Sequence, residues 1–417
     1  MIPDSDTLPP PNAPHERSGA FRMLFFCSLA VGAGSTMLIG AILPPLTREL
    51  ALPDWTAGAI FSLSALLWAF FSPFWGSLSN RLGRRPVIAI GLIGYATSTF
   101  LFAFVAYLSL QGVITNWFWI FVCLLLSRGI SGIVGPGVPT ASQAYIADRT
   151  TPEARTAEIA MLGSGMTLGA ALGPAAAAAI IASMGLLTPL FFIGFIVVGL
   201  AVWVFLKLPE NRPPKTTIAT SSTSISALKD PAIGPFIIFG VGLSMCTGIL
   251  VQTFPFAMMD RMQIEGPQAS QFLAAAMTIG AMATLISQLV LIPRLRLSPR
   301  NFTLLGVVPI LIFAASMLFA ADLGTFCLIQ LMLGIGMGLA RPGFTSGASL
   351  AGTPEQQGEV AGLIVATNGL GFVVSPLFGL WAYEHISPYA PFCVVIVIMS
   401  AVAAIIALKT HEPSQTA

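Results

Sequence analysis

Three arginines, Arg81, Arg84 and Arg85, fall within five positions of the run GSLSNRLGRRPV (76–87), in a chain where only 9% of residues are charged. A guanidinium presents a planar fork of donors that suits carboxylates and the free carbonyls at helix C-termini. Gly76 and Gly83 frame the cluster, where a missing side chain permits a turn or a close approach. The chemistry on offer is ion pairing at a bend, with Asp148, Glu153 and Glu158 as candidate carboxylates. Arg128 lies within a long apolar stretch, where a charge costs about 2.5–3.5 kcal/mol even on a lenient insertion scale. It is read as the only ionisable residue deep in a span, so it has to face a cavity, water or a partner. Asn368, Gln330, Gln143 and Gln252 are polar side chains that could line the same cavity, the last two nearer helix ends. Nothing suggests catalysis, because His15, His385 and His411 are far apart and form no set with a nucleophile. Cys27, Cys123, Cys246, Cys327 and Cys393 lack CxxC or zinc spacing and read as small buried hydrophobes. No cofactor and no metal are expected.

The elements that must position these residues are apolar helices. The chain is 55% hydrophobic, with a mean hydropathy of +0.86. Soluble domains carry about 25% charged residues, so this chain could not cover a water-facing surface and is an integral membrane protein. A spanning helix needs about 20 apolar residues. The stretches free of Asp, Glu, Lys and Arg predict twelve helices, near 22–44, 56–77, 86–108, 117–142, 157–183, 188–207, 232–255, 270–293, 302–321, 324–346, 359–382 and 387–408. The fold class is an all-α membrane protein of two six-helix bundles, 21–207 and 231–409. A polar linker rich in Ser, Thr and Pro joins them at 208–230. Residues 1–20 and 410–417 read as tails, the first disordered. With the N-terminus inside, nearly all Arg and Lys fall on the cytoplasmic side, leaving only Arg48 and Arg261 outside; the positive-inside rule then puts both termini in the cytoplasm. A net charge of +2 offers no sign of a nucleic-acid partner.

A shift of 202 residues aligns Thr151-Pro152-Glu153 with Thr353-Pro354-Glu355, Gly132 with Gly334, Gly169 with Gly371 and Pro174 with Pro376. Parallel repeats imply two bundles about an axis normal to the membrane, with a central cavity opened to alternate sides. Gly165, Gly169 and Gly173 recur every four residues, a spacing that lets helices pack closely, and Pro174 follows.

Several motifs carry a resemblance. ILPPL (42–46) closes the first helix. GSLSNRLGRRPV is similar to the loop signature G-x-L-[AS]-D-R-x-G-R-[RK]. LLLSRGISGIVG (124–135), AYIADRTTPEAR (144–155) and GSGMTLGAALGP (163–174) resemble the helix-four, following-loop and helix-five antiporter patterns. Together the chain resembles the Major Facilitator Superfamily, in its twelve-helix drug:proton antiporter branch, with the tetracycline-efflux proteins nearest. The resemblance implies a monomeric inner-membrane exporter of a small amphipathic molecule, driven by proton antiport. It implies that Gly76, Asn80, Arg81, Gly83, Arg84 and Arg85 form a cytoplasmic latch steadying the outward-open state. It also makes Arg128 with Gly132 a coupling candidate, and gives the Gly165–Pro174 face a role in sealing the path.

Three departures qualify this. Asn80 stands where the family has Asp, alanines follow Pro174 in place of glycines, and the first helix (FFCSLAVGAGSTMLIGAIL, 25–43) holds no acid. The missing acid argues against multivalent cationic cargo, whereas Arg128 favours neutral, zwitterionic or anionic cargo, a drug or a metabolite such as a siderophore. Importers and non-transporting receptors are the rival classes. The helix-five face disfavours the first, and the lack of a sizeable soluble stretch disfavours the second.

Overall fold

The computed structural model describes residues 14–150, 152–210, 230–353 and 357–409, leaving aside the side chains of 14–18, 152–157, 160, 357–359, 361–362, 365 and 368–370. The greater part of the N-terminal tail, the linker interior and the C-terminal tail therefore lie outside the described residues.

In a bilayer every backbone N–H and C=O must be satisfied internally, which a helix achieves alone. Twelve rods result: α1 (Gly19–Glu49), α2 (Trp55–Leu82), α3 (Arg84–Leu110), α4 (Trp117–Ala147), α5 (Pro152–Met184), α6 (Thr188–Lys207), α7 (Gly234–Met262), α8 (Gly266–Leu295), α9 (Pro299–Ser316), α10 (Leu323–Ala351), α11 (Gln357–His385) and α12 (Ala390–Lys409). Among the described residues, 11 of them are long and apolar enough to cross a membrane. The exception is α11, many of whose side chains lie outside the description. α1 and α8 each contain a π-helical stretch, Met37–Ile42 and Ser287–Leu291.

Several bounds differ from the sequence expectation for physical reasons. The first helix reaches back to Pro14, so residues 14–20 are helical rather than part of a disordered tail. α7 continues past Pro255 to Met262, and α10 continues past Pro342 to Ala351. Neighbouring helices in a bundle tolerate such internal prolines. The cysteine expectation holds for Cys27 and Cys246, which are buried, but Cys393 is exposed.

Within the first bundle, Gly165, Gly169 and Gly173 of α5 press against the backbone of Phe25, Leu29 and Ala33 on α1. Any side chain there would meet main chain, which cannot give way. In the second bundle, Gly334 of α10 lies against Gly280 of α8. Between bundles, α2 meets α11 and α5 meets α8.

The α2–α11 seam shows how the halves are inclined. A β-carbon on Gly58 would lie 2.7 Å from the Pro376 carbonyl oxygen, and the Phe61 and Phe372 rings are 5.9 Å apart. Gly76 lies eighteen residues on, about five turns and about 27 Å along the same helix face. A β-carbon there would meet nothing within 4 Å among the described residues. The halves touch at the end away from the chain termini, and no such contact of Gly76 is seen towards the other end among the described residues. Gly76, expected to serve a close approach, makes none in this state.

Candidate functional site

At the end away from the termini, four helix ends converge on one arginine. Arg48, in the last turn of α1, donates from Nε and Nη2 to both carboxylate oxygens of Asp54, at 2.6 and 2.5 Å. Its Nη1 donates to Asp260 Oδ1 of α7 at 2.8 Å. The Tyr383 hydroxyl of α11 donates to the other Asp260 oxygen at 2.6 Å, and the Trp55 N–H donates to Glu384 at 3.0 Å. The guanidinium also stands over the Phe256 ring, 5.5 Å from its centre. Asp54 belongs to the first bundle and Asp260, Tyr383 and Glu384 to the second, so this network crosses the seam. Asp54 lies between spans, and burial pushes its carboxyl upward while the Arg48 hydrogen bond and charge pull it down. The sequence placed Arg48 on the outer side without joining it to Asp54 or Asp260.

At the termini end, the arginine run forms a different structure. Gly83 turns the chain with φ 102°, which an L side chain rarely adopts. Arg84 Nε donates to Asp148, after α4, at 3.0 Å, and Arg84 Nη1 donates to Ser79 at 2.5 Å. The Arg84 and Arg85 N–H groups, the first of α3, donate to the two Glu210 oxygens at 3.0 and 2.7 Å. A carboxylate at a helix N-terminus satisfies orphan donors and complements the dipole. Tyr145 and Arg149 both donate to the Pro209 carbonyl, at 3.1 and 3.0 Å, and Arg85 stands over Phe205. Asp148 was thus foreseen as a partner, while Glu210, just past α6, was missed. Glu153 lies outside the described side chains. Asn80 and Arg81 take no part in these bonds, and Arg81 is exposed. Every partner named here lies in the first bundle or within three residues of the end of its last helix, so in this state the run is a brace within one half.

The interior polar residues separate as well. Arg128 is 6% exposed, its guanidinium 5.6 Å from the centre of the Tyr95 ring, with Nη1 buried and unpartnered among the described residues. Gly132, one turn on, lies against Ser64 and Leu67 of α2. Gln252 is fully buried, and both its amide atoms lack partners among the described residues. Gln252 was read as a cavity candidate near a helix end; a buried orphan amide is costly and signals water or ligand. Gln330 is buried against Gly280 of α8. Gln143 is exposed, and the Asn368 side chain lies outside the description. The expectation that Arg128 is the only deep charge fails. Arg341 lies ten residues inside the end of α10, because that helix runs on to Ala351.

Two six-helix bundles tied across one end, with unpartnered polar groups buried among the described residues, have the form of a membrane transporter. A sequence model of the Major Facilitator Superfamily matches residues 24–323 and 284–417. The chain belongs to that superfamily. It is 28% identical over 381 residues to the tetracycline resistance protein, class B, of Escherichia coli, covering 86% of each chain. It is 25% identical over 366 residues to multidrug resistance protein 2 of Bacillus subtilis, covering 85% of this chain and 86% of the relative. Among solved structures, a bacterial homologue of the human lysosomal transporter Spinster, in an inward-facing and unoccupied conformation, superposes with a TM-score of 0.70 at 15% identity. The match covers 96% of this chain and all of that one.

Proposed function

We propose that this protein exports small amphipathic molecules across the inner membrane, as a monomer, by proton antiport and alternating access. With both termini in the cytoplasm, as the arginine and lysine distribution favours, the Gly76 end faces inward and the Arg48 network closes the outer end. The observation that carries the reading is this asymmetry: Gly58 packed on α11, Gly76 of the same helix face on nothing among the described residues, and a cross-bundle ion pair at the closed end. Its relatives named for tetracycline and multidrug resistance support export over import. The brace of Arg84, Asp148 and Glu210 makes the first bundle's inner end one rigid piece, so that the halves rock about the seam rather than bend within themselves.

Everted vesicles test the reading. ATP-driven acidification of the lumen is expected to drive uptake of a fluorescent amphiphile, with release of lumenal protons on its addition. Uptake that continues after full collapse of the proton gradient would exclude obligatory antiport.

A further inference from the structure

The second deep charge points to what the cargo carries. Arg341 lies about 15 Å along the axis from the termini end of α10 and about 27 Å from its other end. Neighbours on the same helix fix its direction. Gly336 and Gly343 abut Ile310 and Thr303 of α9, whereas Gly334 and Gly338 abut Gly280, Thr284 and Ser287 of α8. The Thr247 hydroxyl of α7 donates to the Met337 sulfur at 3.6 Å. At 3.6 residues per turn, Arg341 lies about 20° around the helix from Gly334 and about 40° from Met337, but about 150° from the α9 face. It therefore projects between α7 and α8, and α8 is the helix of the second bundle that packs on α5 of the first.

Two independent features mark this place as built. The π-helical stretch of α8 begins at Ser287, opposite Gly338, one turn from Arg341. Such widened turns are frequent at functional sites. The half-buried Arg341 side chain has no carboxylate or hydrogen-bond partner among the described residues. The described acidic side chains within helices, Glu49, Glu158, Asp260 and Glu384, all lie near helix ends. The interior thus holds two cations, Arg128 and Arg341, and no described counter-ion. In a medium of low dielectric such charges repel a cationic molecule and stabilise an anionic one. The guanidinium fork matches the paired oxygens of a carboxylate or sulfonate.

We infer that the cargo is an amphipathic organic anion and that Arg341 binds its anionic group. This rests on the transport reading above and deepens it. Full-length protein in nanodiscs is titrated with fluorescein, an amphipathic carboxylate, and with rhodamine 6G, a cation of similar ring system, by fluorescence anisotropy. Fluorescein is expected to bind. Arg341→Ala and the better space-filling Arg341→Gln should each weaken it by roughly tenfold, the factor that about 1.4 kcal/mol represents. Arg341→Lys should recover part of the loss, and a monodisperse elution profile and unchanged helical circular dichroism show that each variant is folded. Failure of fluorescein to bind, or equal binding by Arg341→Ala, overturns the inference. Rhodamine 6G uptake into everted vesicles separates the two claims. Uptake of rhodamine 6G with no response to fluorescein sinks the anion site and leaves transport standing. Uptake of neither dye overturns the transport reading on which the inference rests.

Discussion

At the end away from the termini, Arg48 of the first bundle reaches Asp260 of the second; at the termini end, Arg84 pairs with Asp148 of its own bundle. Both are arginine–carboxylate contacts near a helix end, at 2.8 and 3.0 Å. They differ in what must happen to them when the halves rock. The first has to break for the outer end to open. The second can persist throughout, because its members move together. Charge at a helix end thus acts in two ways here, as a tie between bodies and as a brace within one body, and only the tie depends on the transport state.

The glycine face is where the comparison breaks most completely. Gly169→Leu on α5 puts a side chain into the Leu29 backbone of α1, so both tie and brace should lose their support, and transport and folded yield should fall together in a membrane-fraction blot with a vesicle assay. The brace comes next. Gly83→Asp places a second carboxylate at Glu210 on a backbone with positive φ, and Arg84→Ala leaves Asp148 unpaired. Either should abolish most transport while the protein still inserts, and normal vesicle uptake by both would deny the brace any role. Removing Glu210 by Glu210→Gln should cost less, because an amide still accepts one N–H, and a measurable fall in melting temperature with reduced uptake is expected. The tie has the smallest effect. Arg48 and Asp260 side chains are 32% and 36% exposed, and exposed pairs contribute about 0.2–1 kcal/mol, so Asp260→Asn should shift the open–closed ratio by up to about fivefold.

Proton linkage adds a sign to the tie. Burial of Asp54 in the closed outer end outweighs the pull of Arg48 and raises its carboxyl. Opening exposes it to water, where the ordinary value is about 3.9. The closed state then holds the proton more tightly, so acidification towards and through the raised value favours closure. Arg48, Asp260, Glu384 and Tyr383 face the same group. Spin-label distances across the outer end should shorten as pH falls, and Asp54→Asn should remove that dependence.

The helices were legible in the sequence because apolar runs of spanning length leave little choice of structure. The partner of Arg84 was legible too, since Arg84 opens α3 and Asp148 closes the next helix, α4, on the same side. The outer tie was not. Arg48 and Asp260 are 212 positions apart, and no local period connects them. Glu210 was hidden in a segment read as flexible linker; the signal was an acid three residues after Lys207, within reach of a helix N-terminus. Arg341 was lost for a simpler reason. The helix was expected to end at 346, which puts Arg341 only five residues from an end, whereas packing on α8 and α9 accompanies a helix that runs on to Ala351. Asn80, the altered position in the loop signature, leaves the charge of the brace to Arg84, Asp148 and Glu210.

The most direct test measures both ends at once. Spin-label pairs would be placed across the outer ends of α2 and α11, and across the inner ends of α5 and α8, in nanodiscs. Asp260→Asn is expected to lengthen the outer distances and shorten the inner ones, while Asp148→Asn leaves the balance between the two populations as in the parent protein. Identical shifts from the two variants, or none from Asp260→Asn, would contradict the assignment of tie and brace.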